Sequence, residues 1–183
     1  VSSKTLEQYE IQLQKCKDVY TKKTKDYGTA WRILRPSSLT DQLYIKAKRI
    51  RSIEEKGRQQ ISEGIENEYI GLVNYSIMAL IQLELEDDAE IDLTEEKAIS
   101  LYEKYALLTK SLMQNKNHDY GEAWREMRIS SLTDLILMKL LRIKQIEDNK
   151  GITLISEGLD AGYQDIINYA LFALIRLDEN KEN

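Results

Sequence analysis

Residue types suited to gripping an anionic aromatic ligand crowd into one stretch: His118, Asp119, Tyr120, Trp124 and Arg125, with Arg128 close behind. An aromatic plane stacks on a base, and a guanidinium presents paired donors that match a phosphate. The plainer alternative is that Tyr120 and Trp124 cover the core where the chain reverses, and that Asp119 pairs with Arg125. Further on, Lys139 and Arg142 stand three apart on the apolar stripe shared by Leu135 and Ile146. Charges on such a stripe need partners, either carboxylates of the next helix or the phosphates of a ligand. That next helix offers Glu157, Asp160 and Asp165, then Asn168 and Tyr169. Glu157 and Asp160 are one helical turn apart and so able to approach one Mg²⁺, which takes oxygen ligands and keeps several waters. Acidic residues at a helix start also favour the helix dipole, with no metal involved. Asp165 lies roughly 12 Å further along an ideal helix, among Ile166, Ile167 and Tyr169.

Other chemistries lack their residues. There is no glycine-rich phosphate loop, no H-E-x-x-H, no G-x-S-x-G and no Cys/His cluster. A Ser-His-Asp mechanism would rest entirely on His118, the one histidine, with no strained serine turn beside it. Cys16 is the one cysteine, which excludes an intrachain disulfide and a thiolate zinc site and fits a reducing compartment. The net charge of −5 speaks against an extended nucleic-acid surface or a broad grip on anionic membrane. No stretch approaches the roughly 18 apolar residues of a membrane span, and Val1-Ser2-Ser3-Lys4 begins no signal peptide. No membrane partner and a cytoplasmic location are the expectations.

The elements that must position these residues come in duplicate. Asp26-Tyr27-Gly28-Thr29-Ala30-Trp31-Arg32 returns as Asp119-Tyr120-Gly121-Glu122-Ala123-Trp124-Arg125, a shift of 93. Ser37-Ser38-Leu39-Thr40-Asp41 returns as Ser130-Ser131-Leu132-Thr133-Asp134, and Ile61-Ser62-Glu63-Gly64 as Ile155-Ser156-Glu157-Gly158 at a shift of 94. A composition with one proline, eight glycines and 31% charged residues suits helices. Each copy reads as three helices, over about 5–25, from Ser38, and 62–85 in the first, and over about 94–117, from Ser131, and 156–177 in the second. Thr94 followed by Glu95-Glu96 signals a helix start, Asp-Tyr-Gly a stop, and Ser-Leu-Thr-Asp a loose capping box. The apolar residues surrounding 135–146 predict a central second helix.

An all-α fold is therefore expected: a tandem repeat of a three-helix unit, residues 1–88 and 89–183, packed as one compact pseudo-twofold helical bundle. Asp165 corresponds to Gly71 and His118 to Lys25, so any site is expected chiefly in the second repeat, with the first degenerate.

Lys116-x-His118-Asp119-Tyr120-Gly121-x-Ala123-Trp124, then Asp134, Lys139 and Arg142-Ile143, then Glu157 and Asp165-Ile166-x-Asn168-Tyr169-Ala170, together resemble the nucleotide-modification-associated domain of the first type. More distantly, the acidic helices resemble the MazG-like all-α nucleoside triphosphate pyrophosphatases; Glu157-x-x-Asp160 fits their second acidic pair, but no clean E-x-x-E precedes it. The resemblance implies a nucleotide or nucleoside triphosphate partner and Mg²⁺ held by Glu157, Asp160 and Asp165, with Glu157 and Asp165 catalytic. His118, Asp119, Tyr120, Trp124 and Arg125 would lie along the nucleotide, Lys139 and Arg142 would neutralise phosphate, and Asn168 would read a base or sugar edge. The alternative is a non-catalytic helical module for a nucleotide or a protein, its ion pairs structural, and a homodimer is compatible with either. What separates them is whether Glu157 and Asp165 stand in an open cleft beside Arg142 or are fully paired inside the bundle.

Overall fold

The computed structural model describes residues 1–57, 62–151 and 158–182, apart from the side chains of residues 62, 63, 119 and 120. Among these residues every regular element is helical: α1 (Ser3–Tyr27), a 3₁₀ turn (Ala30–Ile33), α2 (Pro36–Lys56) and α3 (Ser62–Glu84), then α4 (Glu95–Tyr120), a second 3₁₀ turn (Ala123–Glu126), α5 (Ile129–Asp148) and α6 (Leu159–Glu182). None of these helices is long and apolar enough to cross a membrane.

Local chemistry sets most boundaries. Ser2 and Thr94 cap α1 and α4 by accepting from the amides of Thr5 and Lys97. Gly28 and Gly121 end those helices at φ values of 65° and 71°, a conformation that costs a side chain and suits glycine. The expected capping box is not used. Both α2 and α5 start two residues before the serine, with Arg35 and Arg128 at the cap position and no side-chain cap bond. Pro36 explains this in the first repeat, because its preset φ and missing N–H suit the first turn.

The central helices are α3 and α6, not α5. Met138 and Leu141 on α5 are exposed, whereas Ile166, Ile167, Ala170, Leu171, Phe172, Ala173, Leu174 and Ile175 bury α6 on every side. The two pack against each other, α2 lies on α3, α5 on α6 and α2 on α5, while α1 and α4 each touch both central helices. One contiguous core runs through both repeats. Cys16 sits inside it, and burial pushes its thiol up to about 12, so it is a packing residue and not a reactive one.

Buried polar groups tie one repeat to the other in matched pairs. Tyr9 donates its hydroxyl to Asn168 Oδ1 at 2.7 Å, and Tyr102 donates to Asn74 Oδ1 at 2.7 Å. Each asparagine then donates to a backbone carbonyl, Asn168 to Thr109 at 3.2 Å and Asn74 to Cys16 at 2.9 Å. A second pair links Tyr69 to Thr133 (2.5 Å) and Tyr163 to Thr40 (2.7 Å), each threonine also reaching a glutamate, Glu54 at 3.1 Å and Glu147 at 3.2 Å. The shift of 93 or 94 maps every member of one set onto the other.

Two outcomes follow. Tyr9→Phe and Tyr102→Phe each leave a buried asparagine oxygen without its donor and should lower stability by about 1–3 kcal/mol, read by urea denaturation as an earlier but still single transition; separate unfolding of the repeats would contradict the clamp. Burial raises the carboxyl pKa of both Glu54 and Glu147. A raised folded-state pKa contributes stability at low pH that is lost as pH rises through it. Glu54→Gln with Glu147→Gln should therefore gain stability over the parent chain as pH climbs above the ordinary glutamate value of about 4.3, and lose that advantage below it.

Candidate functional site

The turn after α4 is built as a brace. Trp124 is buried and stacks on Phe172, centroids 4.3 Å apart and planes 2° from parallel. The Arg125 guanidinium lies 4.4 Å over the indole and donates to Thr5 Oγ1 at 2.8 Å, Gln8 Oε1 at 2.6 Å and Glu179 Oε1 at 3.3 Å, with Glu122 3.7 Å from its Nε. All its nitrogens are committed to holding the start of α1 against α6. Arg176 closes the turn by donating to the carbonyls of Trp124 (3.3 Å) and Met127 (2.5 Å). The first repeat does the same with other atoms: Arg32 donates to Gln82 and to the carbonyls of Asp88 and Glu90, while Gln82 donates to the carbonyls of Arg32 and Leu34. The expectation that Arg125 forks onto a ligand thus meets a residue already saturated. Asn168 is saturated too, its carboxamide filled by Tyr9 and Thr109. His118 stands exposed in the last turn of α4, and the side chains of Asp119 and Tyr120 lie outside the described set.

Beside this brace, α4, α5 and α6 leave a hollow of about 250 Å³ lined by Met113, Trp124, Leu135, Tyr169 and Phe172, with Lys116, Asn117, Asp165 and Asn168 among its polar members. A second hollow of about 90 Å³ lies between α5 and α6, lined by Lys139, Arg142, Ile143, Gly158, Gly162 and Asp165. Asp165 borders both. It is 9% exposed, and its two oxygens take one ammonium each: Lys116 on Oδ1 at 2.7 Å and Lys139 on Oδ2 at 3.0 Å. Lys139 therefore finds the third-helix carboxylate that its apolar stripe demanded. Arg142, on the rim, is exposed and engaged in the fold. Two ammonium groups share the single charge of Asp165, which suits an anion at the junction of the hollows.

The two repeats solve the same lysine differently. In the first, Lys46 and Arg49 pair with Glu68 at 3.6 and 3.1 Å. At the positions matching Glu68 and Gly71, the second repeat has Gly162 and Asp165, so the carboxylate has moved one turn along the helix and the glycine has moved back one. A Cβ on Gly71 would stand 3.1 Å from the Lys46 stem, which crosses it to place Nζ 5.2 Å over the Tyr75 ring. Tyr20 occupies the first repeat where Met113 stands in the second, its ring buried 6.5 Å from Trp31 and its hydroxyl on the Ala98 carbonyl. The slim methionine and the relocated carboxylate accompany the second-repeat hollow. Both exchanges were readable by setting the copies side by side, and Met113 against Tyr20 is the one that sequence reasoning missed.

The acidic set is only partly visible. Asp160 is exposed at the start of α6, Glu157 lies outside the described residues, and among those described no three His, Cys, Asp or Glu side chains gather as a metal site. Each Asp165 oxygen already holds an ammonium group, and the two positive charges there oppose a cation, so the described residues do not by themselves fit Mg²⁺.

Gly162→Ala would put a Cβ 2.9 Å from the Ile143 side chain, where the core is tight, and should cost about 1–3 kcal/mol. Gly71→Ala meets only the flexible Lys46 stem and should be near neutral, helped by the better helix propensity of alanine. Equal losses in thermal unfolding would contradict the asymmetry.

Neither a comparison with curated proteins nor one with solved structures returned a match. The sequence profile of the family described as "Nucleotide modification associated domain 1" matches residues 23–83 and, again, residues 116–177. The first segment runs from the last turn of α1 almost to the end of α3 and the second from the last turn of α4 into α6, each with its Asp-Tyr-Gly turn. This chain belongs to the nucleotide-modification-associated domain family, in two tandem copies.

Proposed function

We propose that the second repeat binds a nucleotide across its two hollows, the base in the apolar one and phosphate at Lys139 and Arg142 in the smaller. The observation that carries this is the junction at Asp165, where an aromatic-lined hollow of about 250 Å³ meets a small one flanked by cationic side chains. Trp124 is sandwiched between Phe172 and Arg125, so the aromatic surface it offers a planar ring is its edge, with Tyr169 beside it on the same wall. An arriving phosphate would draw Lys139 from Asp165, and Lys116 would keep that carboxylate paired. Free exchange of one charged partner for another avoids leaving any of them buried alone.

Hydrolysis of a nucleoside triphosphate with Mg²⁺ is the catalytic extension of the same reading. It would use Asp160, Asp165 and Glu157 as metal ligands, and when bound the ion would polarise the phosphoanhydride. The lysine pairing of Asp165 favours binding without chemistry as the primary role.

Titration calorimetry with nucleoside mono- and triphosphates tests both. Lys139→Met removes a phosphate contact and should weaken binding by about tenfold or more, the size of one charged hydrogen bond; unchanged affinity would remove the phosphate assignment. Where Mg²⁺ strengthens binding, Asp165→Asn should abolish the Mg²⁺-dependent part, and an unchanged Mg²⁺ response would strike Asp165 from the ligand set.

A further inference from the structure

The apolar hollow of the second repeat contains a carboxamide with little to do. Asn117, half-buried on α4 and lining that hollow, makes one side-chain hydrogen bond among the described residues, a donation from Nδ2 to the Met113 thioether at 3.2 Å. Sulfur is a weak acceptor, and the carboxamide oxygen accepts nothing from the described residues. The contrast with Asn168 on the same wall is direct, since there both ends of the amide are consumed by the fold. It also contrasts with the first repeat, where Thr24 takes the matching position and turns its hydroxyl back onto the Tyr20 carbonyl at 2.8 Å. The first repeat has thus satisfied this position internally, whereas in the second a residue lining the hollow keeps a carboxamide oxygen without a partner among the described residues and a nitrogen held only by sulfur.

We infer that Asn117 is the residue that reads the ligand in this hollow, and that the ligand is a nucleobase presenting adjacent donor and acceptor atoms on one edge. A primary carboxamide forms two parallel hydrogen bonds with such an edge, as asparagine does with adenine. In a hollow lined by Met113, Trp124, Leu135, Tyr169 and Phe172, apolar walls limit the competition from water, so those bonds discriminate between bases. The assignment rests on the nucleotide reading above and replaces Asn168 with Asn117 as the base-reading amide.

The test is calorimetry on the intact chain with the four common nucleoside 5′-monophosphates, with ribose 5-phosphate, and with a monophosphate whose exocyclic amine is dimethylated. Asn117→Leu keeps the volume and loses the edge. It should weaken the preferred nucleotide by about tenfold to a hundredfold, as loss of a bidentate base contact does, and leave ribose 5-phosphate within about twofold. The dimethylated nucleotide should bind the parent chain poorly and gain nothing or improve in the leucine variant. Asn117→Thr, which copies the first repeat, provides the same readout if the leucine variant folds badly. Equal affinity of parent and both variants for the nucleotide would overturn the assignment while leaving the nucleotide site standing. No binding of any nucleotide to the parent chain would overturn the nucleotide reading and this assignment with it.

Discussion

Each repeat buries polar atoms that only the other repeat satisfies, and the rest of the architecture depends on that constraint. The amide oxygens of Asn74 and Asn168 lie inside the bundle, where an unmet acceptor costs about 1–3 kcal/mol, and the tyrosines that meet them come from across the pseudo-axis. The tyrosine–threonine pairs repeat the arrangement elsewhere on the same interface. Hydrophobic contact between α3 and α6 is non-directional and would tolerate some sliding. These hydrogen bonds do not, so they fix the register at which the central helices meet, and with it the walls of the hollows beside α6.

Within that frame the two copies are free to differ only by compensated exchanges. Moving a carboxylate from the Glu68 position to that of Asp165 required a glycine to move the opposite way, because Ile143 crowds the space at Gly162 and Lys46 crosses the space at Gly71. The lysine on α2 or α5 is answered in both copies, so the core pays no electrostatic penalty for the change. What changes is where the ion pair sits relative to the cavity. In the second repeat the aspartate stands at the meeting point of two hollows, and a methionine in place of Tyr20 leaves room beside it.

Much of this is legible in the amino-acid sequence. The repeat shift, the glycine stops at Gly28 and Gly121, the cap at Thr94 and the need of Lys139 for a carboxylate on α6 are local or periodic features, and short-range physics carries them. Long-range partners were not legible. Arg125 looked like a ligand fork because Thr5, Gln8 and Glu179, which saturate it, are more than 50 residues away. Asn168 looked available for the same reason. The apolar run on α5 suggested a central helix, yet Met138 and Leu141 face outward and the residues of α6 take the centre. Asn117 carried no sequence signal, since its interest lies in bonds it does not make.

The sharpest test is the stoichiometry of nucleotide binding to the intact chain, measured by isothermal titration calorimetry at several temperatures. A nucleotide site confined to the hollow beside Met113 predicts one nucleotide per chain, and filling that hollow with the first-repeat residue, Met113→Tyr, should bring the count to none while leaving the thermal transition in place. Two nucleotides per chain, or one that survives Met113→Tyr, would contradict the asymmetry on which the site rests.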